Sequence, residues 1–263
     1  MAIVLDRDPG ETSFNAFDIG ILDGSLNYID SIGEDDRIDL YKFSLAQTSQ
    51  ITSLIEANNK YGISIDFFVD RDNDSDVDAG ESILRYGNYA SLGYDAEIIT
   101  TLGAGDYTIR LESYFFNDYS LDINAIATPA SVEIDPGNTF PLSFNFGHIN
   151  DSNNIQITEF IGIVDPTDIY RFSIDESQLT LNIQNITGKN QGGTFDIDLI
   201  EDNNNNGEID SNDILFSDAI EFLDYADNNY LINFDNQTFN SGNYFLRFNV
   251  SDFDQYTNTN YTF

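Results

Sequence analysis

The sequence predicts an all-β protein made of two tandem antiparallel β-sandwich domains, residues 1–127 and 128–263. Three observations lead to this prediction. The composition favours strands and turns, with Phe 21 and Tyr 15 against Met 1 and Trp 0. Apolar and polar residues alternate over short stretches bounded by polar turns. The same order of motifs also occurs twice along the chain.

The strands are predicted from a period of two in hydrophobicity. Apolar and polar side chains alternate through residues 41–45 and 107–111, as expected for strands with one buried face. Further candidate strands in the first half are 25–29, 51–56, 63–69, 83–86, 97–102 and 119–125. About eight short strands without an intervening helical pattern indicate an antiparallel sandwich.

Internal comparison indicates a tandem duplication. The paired segments are Asp-Pro-Gly at 8–10 and 135–137, Gly-x-x-Asp-x-x-Asp-x-Tyr-x-Phe-Ser at 33–44 and 162–173, two Asp-rich loops at 70–81 and 202–213, Gly-Asp/Asn-Tyr-x-x-Arg at 105–110 and 242–247, and the closing strands at 119–121 and 261–263. Their order is the same in both halves. We therefore place the joint near residues 127–130.

The charge balance excludes several classes of function. Lys+Arg 10 against Asp+Glu 46 gives a formal net charge of -36, which would repel nucleic acid and anionic lipid. No apolar run approaches membrane-spanning length, so no membrane span is expected. With Cys 0 there is no disulfide framework, and a bound metal is the expected stabiliser outside the cell.

The two Asp-rich loops have the spacing of EF-hand calcium loops. Oxygen-bearing side chains stand at positions 1, 3, 5, 9 and 12, and an apolar residue such as Val77 stands at position 8. The alternative is a solvated acidic turn, which does not explain position 8 or the closing acid. Each loop follows a predicted strand, so the calcium chemistry is expected on a β connection. The predicted ligands are Asp70, Asp72, Asp74, Asp78 and Glu81 with the backbone of Asp76, and Asp202, Asn204, Asn206, Asp210 and Asp213 with the backbone of Glu208.

The succession of motifs resembles the bacterial pre-peptidase C-terminal domain, twice over. The motifs are the Asp-Pro-Gly start, Ala-x-Asp-Ile-Gly at 16–20, Asp-x-x-Asp-x-Tyr-x-Phe, an Asp-rich loop, Leu-x-Ala-Gly-Asp-Tyr-x-x-Arg at 102–110 and a closing Tyr-x-Leu. The resemblance implies jelly-roll-like, non-catalytic β-sandwiches, which occur on secreted peptidases and bacterial surface proteins and are similar to the collagen-binding domains of clostridial collagenases. The second copy departs from the pattern by an insertion at 188–193.

A second calcium site in each copy is implied by the same resemblance. In collagen-binding relatives, an acidic segment before the first core strand joins an Asp-x-x-Asp pair around calcium. The alternative is turn chemistry, since Asp before Pro-Gly or at a strand entrance needs no ion. The candidate ligands are Asp6, Asp8, Glu11, Asp36 and Asp39 in the first copy, and Glu133, Asp135, Asn138, Asp165 and Asp168 in the second.

Catalytic motifs are missing from the sequence, and we expect no enzyme. His148 is the single histidine, and the first copy has Ile21 at the corresponding position. Cysteine, a Gly-x-Ser-x-Gly elbow, a phosphate-binding glycine loop and His-Glu-x-x-His are all lacking. The aromatic residues could stack on sugars, but their alternation favours the core.

These observations lead to a functional expectation with one alternative. We expect a non-enzymatic, calcium-binding tandem β-sandwich protein of a bacterial cell surface, matrix or adhesion system, secreted or held on the cell surface. The start lacks a basic region followed by a long apolar one, so a leader is missing or export is leaderless. Expected partners are calcium ions, an extracellular polymer or surface ligand, and further copies that pair through sheet edges into filaments. The alternative is an accessory domain pair that binds collagen or polysaccharide for a secreted peptidase.

Overall fold

The all-β sandwich class predicted from the sequence is confirmed by a computed structural model of the chain. The chain divides into two compact units, Met1–Pro129 and Ala130–Phe263, and each is described by itself. The structure describes residues 3–5, 7–70, 77, 81–83, 88–128, 135–150, 155–175, 180–187, 193–201, 213–222, 228–233, 239–250 and 258–263.

The first unit is built from two five-stranded sheets. Its strands are β1 (Ile3–Val4), β2 (Phe17–Ile21), β3 (Gly24–Ile32), β4 (Ile38–Leu45), β5 (Ser49–Ala57), β6 (Ile63–Phe68), β7 (Asn88–Ala90), β8 (Ala96–Leu102), β9 (Gly105–Glu112) and β10 (Asn117–Ala127). One sheet has the order β1-β3-β10-β5-β8 and the other the order β2-β4-β9-β6-β7. Consecutive strands β3 and β4 therefore lie in different sheets.

Two pairings in this unit differ from the predicted antiparallel arrangement. Strand β1 runs parallel to β3, and β2 runs parallel to β4. A parallel pair needs a crossover connection, and β3, which lies in the other sheet, provides one between β2 and β4. The remaining described pairings of the unit are antiparallel.

The core of the first unit lies between the two sheets, where alternate side chains meet. In β10, Tyr119, Leu121 and Ile123 are buried while the residues between them are partly exposed. Phe43 of β4 stacks on Tyr107 of β9 with ring centroids 5.5 Å apart. Burying each such large side chain contributes roughly 1.5–3 kcal/mol, so the interior packing holds the two sheets face to face.

The second unit repeats this plan. Its strands are β11 (Phe144–Ile149), β12 (Thr158–Gly162), β13 (Thr167–Ile174), β14 (Thr180–Thr187), β15 (Gly193–Ile200), β16 (Ile214–Phe222), β17 (Asn228–Asn233), β18 (Gly242–Val250) and β19 (Asn258–Thr262), and a 3-10 turn at Phe140–Leu142 precedes them. The sheets have the orders β11-β13-β18-β15-β16 and β12-β19-β14-β17. Strand β11 runs parallel to β13, as β2 does to β4.

Aromatic rings fill the centre of the second unit. Phe248 and Tyr261 stack with centroids 4.5 Å apart, and Tyr170 packs edge-on against Phe248 at 5.9 Å. Tyr170 and Tyr261 come from opposite sheets and are fully buried. Tyr41 and Tyr119 are the equivalent buried pair of the first unit, and each pair positions the candidate site described below.

Most strand predictions for the first unit are confirmed. The stretches predicted at 25–29, 51–56, 97–102 and 119–125 lie within β3, β5, β8 and β10. Strand β6 ends one residue before Val69, and most of the stretch predicted at 83–86 lies outside the described residues. Strands β2 and β7 were not predicted, because buried and exposed residues do not alternate along β2 and β7 has only three residues.

The arginine that ends each Gly-Asp/Asn-Tyr-x-x-Arg motif forms an ion pair with an acidic residue. Arg247 on β18 binds the buried carboxylate of Asp198 through Nε at 2.8 Å and Nη2 at 2.5 Å. Arg110 on β9 binds Glu112 through Nη2 at 2.5 Å. Each arginine therefore has an acidic partner on its own sheet, within the strand or on a neighbouring strand.

Candidate metal centres

Two equivalent groups of three aspartates in the described part of the chain have the geometry to hold a metal ion. We call Asp8, Asp36 and Asp39 the first acidic cluster, and Asp135, Asp165 and Asp168 the second acidic cluster. Within each, one carboxylate oxygen from every residue lies within 4.8 Å of the others. In both clusters the first aspartate is exposed, the second is half-buried and the third is fully buried.

A tight turn brings the second and third aspartates together. Gly33 and Asp36 exchange backbone hydrogen bonds, at 2.6 Å from the Gly33 N–H and at 3.0 Å from the Asp36 N–H. The turn leads directly into β4, whose second residue is Asp39. Gly162 and Asp165 make the same exchange at 2.9 and 3.1 Å ahead of β13. The repeated Gly-x-x-Asp-x-x-Asp motif therefore encodes this arrangement.

The Asp-Pro-Gly motif carries the first aspartate to the same place. The carbonyl of Gly10 accepts a hydrogen bond from the N–H of Leu40 at 3.1 Å, which places Asp8 beside the start of β4. Gly10 has φ +82, and a Cβ there would lie 2.6 Å from the Cβ of Asn15. Only glycine fits such a position without strain, which explains why the motif ends in glycine.

The second cluster is built in the same way. The carbonyl of Gly137, which has φ +74, accepts from the N–H of Ile169 at 3.2 Å. Asp135 therefore reaches Asp165 and Asp168 as Asp8 reaches its partners.

A buried tyrosine chain fixes the third aspartate of each cluster. The Tyr119 hydroxyl donates to Oδ2 of Asp39 at 2.6 Å and lies 2.5 Å from the Tyr41 hydroxyl. In the second unit, Tyr261 donates to Oδ2 of Asp168 at 2.6 Å and lies 2.7 Å from the Tyr170 hydroxyl. Each chain crosses from one sheet to the other. It holds one carboxylate oxygen in place and leaves the other directed away from the tyrosine.

That other oxygen has no partner among the described residues. Oδ1 of Asp39 and Oδ1 of Asp168 are both buried without a hydrogen bond. A buried carboxylate oxygen of this kind is costly unless it is protonated or meets a cation. The residues thus fit a metal ion by two criteria: they provide an all-oxygen donor set, and each donor set includes a buried oxygen that needs a positive partner.

The acidic groups repel one another, and their pKa values are raised accordingly. Burial, with the charges of Asp36 and Asp30, raises the pKa of Asp39 to about 8, although the Tyr119 hydroxyl acts to lower it. Burial and repulsion from Asp8 and Glu11 raise the pKa of Asp36 to about 6. Without a cation, these carboxyl groups therefore stay protonated at pH values well above those at which an ordinary aspartic acid loses its proton.

The second cluster shows the same electrostatics. Burial, followed by the charge of Asp135, raises the pKa of Asp165 to about 7. The pKa of Asp168 lies well above its ordinary value because of burial and the charge of Asp165. A divalent cation at either cluster would take the place of these protons and relieve the repulsion.

Sequence reasoning missed one acidic residue in each unit. Asp30 on β3 and Glu159 on β12 each use one carboxylate oxygen to accept the N–H of the next residue at 2.9 Å. Their other oxygens, Oδ2 and Oε2, are buried and lack a hydrogen-bond partner in the described chain. A signal was present, since both stand three residues before the glycine of the repeated motif, Gly33 or Gly162.

The remaining predicted residues of these sites lie beside the clusters or outside the described residues. Glu11 is exposed, and its charge contributes to the raised pKa of Asp36. Asn138 is exposed next to Gly137. Asp6 and Glu133 fall outside the described residues. The structure thus brings three of the five predicted residues of each copy together as carboxylate clusters.

The ends of the Asp-rich loops are described, but most of their predicted ligands are not. Glu81 and Asp213, the acids at position 12, are buried, whereas Asp70 at position 1 is exposed. Val69 donates its N–H to the carbonyl of Glu81 at 3.2 Å, and Glu201 donates to Asp213 at 2.9 Å, so both loops close alike. The other predicted ligands lie outside the described residues: Asp72, Asp74, Asp76, Asp78, Asp202, Asn204, Asn206, Glu208 and Asp210.

The single histidine lies on the surface. His148 Nδ1 is 3.3 Å from Oγ of Ser173, and Nε2 is 3.5 Å from Oδ2 of Asp175. The side chain of Asp175 is 84% exposed, so water competes for its charge.

Among the described residues, no helix is long and apolar enough to cross a membrane.

Comparison with known proteins gives similarities only at the level of solved structures. No family model and no curated protein matches the chain. The pre-peptidase C-terminal domain of a collagenase from Bacillus anthracis is similar at 20% identity and TM-score 0.30, over 41% of this chain and 92% of that one. The exported protein XepA of PBSX is similar at 10% identity and TM-score 0.29, over 89% and 82% of the two chains. The tandem CBM22-1–CBM22-2 domain of Xyn10C from Paenibacillus barcinonensis is similar at 7% identity and TM-score 0.24, over 82% and 76%.

Proposed function

We propose that this chain is a non-enzymatic extracellular module whose two β-sandwiches are each stabilised by calcium, and that it serves a bacterial cell surface, matrix or adhesion system. The observation that carries the proposal is a buried oxygen in each acidic cluster, Oδ1 of Asp39 and Oδ1 of Asp168, that has no hydrogen-bond partner in the described part of the chain. A cation bound there would satisfy both oxygens and neutralise the aspartates around them.

The donor set favours calcium over other cations. Both clusters offer carboxylate oxygens and neither contains a histidine or cysteine, which suits hard cations rather than zinc or copper. Magnesium usually keeps several waters, whereas calcium accepts many protein oxygens in flexible geometry. Asp39 and Asp168 are fully buried, which favours calcium because calcium loses its bound water more readily than magnesium.

The Asp-rich loops would add a further calcium ion to each unit. Their spacing supports this, together with the burial of Glu81 and Asp213 and the matched closure of both loops. Calcium bound at loops and clusters would fix the connections between strands and lower the repulsion within a chain of net charge -36. The module would then be rigid where calcium is plentiful and looser where it is scarce.

Thermal unfolding with and without calcium tests this function. Calcium should raise the Tm relative to a chelator, and a ligand at 100 times its Kd contributes about 2.7 kcal/mol per site. The double variant Asp39→Asn with Asp168→Asn should lose the part of this gain that the two clusters supply, whereas Asp118→Asn, an exposed aspartate on β10, should keep the whole gain. An equal Tm in calcium and in chelator for the unchanged protein would disprove a structural role for calcium.

One observation favours the alternative role of binding an extracellular polymer. The connections β5–β6, β7–β8 and β9–β10 of the first unit meet at one end of the sandwich. Asn59 of the first connection donates to Asn117 Oδ1 and to the carbonyl of Phe116, and Leu92 of the second donates to the carbonyl of Asn59. This end, which we call the aromatic end, exposes Tyr61, Tyr89, Leu92, Tyr94, Tyr114, Phe115 and Phe116. Contiguous exposed apolar surface often marks an interaction site.

Pull-down on insoluble collagen and polysaccharide, with Tyr94→Ser and Phe115→Ser as the test variant, distinguishes this role.

Self-association through sheet edges is a further part of the proposal. Strands β8 and β16 each stand at the end of a sheet, and exposed edges can pair with another chain. Size-exclusion chromatography with and without calcium tests it. Discrete monomers under both conditions would remove self-assembly from the proposed function.

A further inference from the structure

The aromatic end of the first unit stands on a buried polar frame. Ser113 and Asn117, which are both 1% exposed, flank the exposed residues 114–116. The Ser113 hydroxyl donates to the carbonyl of Gly62 at 3.2 Å, and the Asn117 amide donates to the carbonyl of Tyr61 at 2.5 Å. Buried polar groups with these partners join two connections of the unit. The exposed rings are therefore held in one arrangement by the fold.

The sandwich itself does not require these rings. Counting from the arginine of the repeated Gly-Asp/Asn-Tyr-x-x-Arg motif, Tyr114 and Phe115 correspond to Ser251 and Asp252 of the second copy. In the first unit Tyr114 is 60% exposed and Phe115 is 50% exposed, so neither ring belongs to the core. Contiguous apolar surface that the fold leaves exposed often marks a contact with another molecule.

Two basic side chains lie on the rings of this end. The Lys60 ammonium is 4.9 Å from the centroid of the Tyr61 ring, which stacks on Phe115 at 4.0 Å. The Arg37 guanidinium is 5.3 Å from the centroid of the Tyr114 ring. In the described part of the chain, neither basic group has a carboxylate within 4.0 Å. Both cations are thus placed by the rings and open to an acidic partner.

Acidic residues stand beside the same rings. Glu34 and Asp35 form the exposed tip of the tight turn that begins at Gly33, and Arg37 follows this turn. The turn packs on the aromatic end, because a Cβ at Gly33 would lie 2.8 Å from Cα of Phe116. The exposed acids at this end are Glu34, Asp35, Asp95 and Asp118. The aromatic end therefore combines apolar rings with charges of both signs.

A surface with this combination is complementary to itself. When two copies meet about a twofold axis, the same patch lies on both sides of the contact. Rings then cover rings, and the bases of one copy meet the acids of the other. A polyanion would be repelled by a chain of net charge -36, and a neutral polymer would leave both cations unpaired. Charge complementarity thus favours a second copy as the occupant.

We propose that the aromatic end is the contact surface of a symmetric dimer, in which a second copy of this chain covers the exposed rings. The patch has seven exposed apolar residues, and each side of a stable interface contributes roughly 20–30 residues. The dimer is therefore weak and forms only at raised protein concentration.

The turn at Gly33 also connects this contact with the first acidic cluster. Asp36 closes the turn and is a member of the cluster, and Arg37 is the next residue. A calcium ion at the cluster would lower the negative charge beside the contact and reduce the repulsion between two copies. Calcium should therefore strengthen the dimer. This link to calcium rests on the proposed function, whereas the dimer itself does not.

Sedimentation equilibrium of the full chain tests the contact. We expect a monomer–dimer equilibrium with a Kd between about 1 μM and about 1 mM, and a lower Kd in calcium than in chelator. The variant Arg37→Glu with Lys60→Glu and the variant Glu34→Lys with Asp35→Lys should each dimerise at least about tenfold more weakly, because like charges then face each other. Mixing the two variants should restore a dimer of one copy of each.

The matched control is Lys42→Glu with Arg171→Glu. It changes the net charge by the same amount as Arg37→Glu with Lys60→Glu, but on strands β4 and β13. It should dimerise like the unchanged chain, and the Tm of every variant verifies that it is folded. A protein that stays monomeric up to about 1 mM overturns the dimer. Equal weakening in the control, or a mixture that stays monomeric, does so as well.

Two further outcomes separate this inference from neighbouring ideas. A monomeric chain that is retained on insoluble collagen or polysaccharide would show that a polymer covers the aromatic end, which overturns the dimer. A chain whose Tm rises in calcium while its Kd for dimerisation stays the same overturns the link to calcium and leaves the proposed function intact. Dimers in a chain whose Tm ignores calcium would support the contact and defeat the proposed function alone.

Discussion

The Tyr119 hydroxyl donates to Oδ2 of Asp39 at 2.6 Å from the opposite sheet of the sandwich. This bond holds the carboxylate in one orientation, so its other oxygen is available to the first acidic cluster. Tyr261 holds Asp168 in the same way in the second unit. The tyrosines therefore connect the interior packing of each sandwich to its candidate metal centre.

Removing this hydroxyl should affect both stability and metal binding. Tyr119→Phe leaves the buried Oδ2 of Asp39 without its donor, at a cost of about 1–3 kcal/mol. Calcium affinity should fall as well, because the carboxylate is free to turn. Urea unfolding in chelator and in calcium measures the two effects. Tyr89→Phe, whose ring is exposed, is the control, and an equal loss in both variants would contradict the prediction.

The stability of the metal-free protein should fall as the pH rises from about 4 to about 8. In the unfolded chain, Asp39 and Asp36 ionise near pH 3.9. In the folded protein their pKa values are about 8 and about 6. Across this window the folded state keeps protons that the unfolded state releases, so ionisation favours unfolding. The stabilisation that comes from the protonated forms of Asp39 and Asp36 is therefore complete below pH 4 and is lost above pH 8.

Calcium should reverse this dependence, because it binds the ionised carboxylates. The gain in Tm on adding calcium is expected to grow over the same range of pH. Melting curves between pH 5 and 9 in chelator and in calcium provide the measurement. The variant with Asp39→Asn and Asp168→Asn controls for the general repulsion of a chain with net charge -36. A metal-free Tm that rises with pH would contradict the assignment.

The sequence predicted the local parts of the candidate site better than the contacts between them. Asp36 and Asp39 are candidate ligands as a repeated Asp-x-x-Asp pair, and Asp8 is one as part of the acidic segment before the first core strand, which also recurs and which the family resemblance implies. The turn at Gly33 and the bond from Leu40 to Gly10 then bring them together. The turn at Gly33 is local, and the bond from Leu40 to Gly10 joins two motifs that both recur in the second copy, so the repeat in the sequence indicates both contacts.

The contacts between residues of different sheets could not be predicted from the sequence repeat. Tyr119 was predicted correctly as part of a strand, but its bond to Asp39 joins residues from different sheets. Asp30 is one of 46 acidic residues, and its place opposite Tyr119 follows from strand pairing, which the position of Asp30 before the repeated motif does not reveal. The parallel pairing of β1 with β3 and of β2 with β4 was not predicted, because the pairing of strands that do not follow one another along the chain depends on the whole topology.

Gly10 should be essential for the first acidic cluster. Gly10→Ala combines a strained positive φ with a Cβ that lies 2.6 Å from the Cβ of Asn15. We expect a loss of more than about 1 kcal/mol in the free energy of unfolding and weaker calcium binding. Gly93→Ala is a matched control, because Gly93 has φ +83 with nothing within 4 Å of the added Cβ. Equal losses would show that backbone strain alone, rather than the packing at Asn15, sets the cost.

The two centres should differ in calcium affinity. Glu11 adds a negative charge beside the first cluster, where the second copy has the neutral Asn138. More ligand charge favours tighter calcium binding, so the first centre should fill before the second. Calorimetric titration should therefore resolve two affinities for the clusters beside those of the Asp-rich loops. Asp39→Asn should remove the tighter of the two cluster affinities and Asp168→Asn the weaker. Glu11→Gln should bring the two affinities together, because it removes the charge that distinguishes the centres. Loss of the weaker affinity in Asp39→Asn would show that the order is reversed and that factors other than charge decide it.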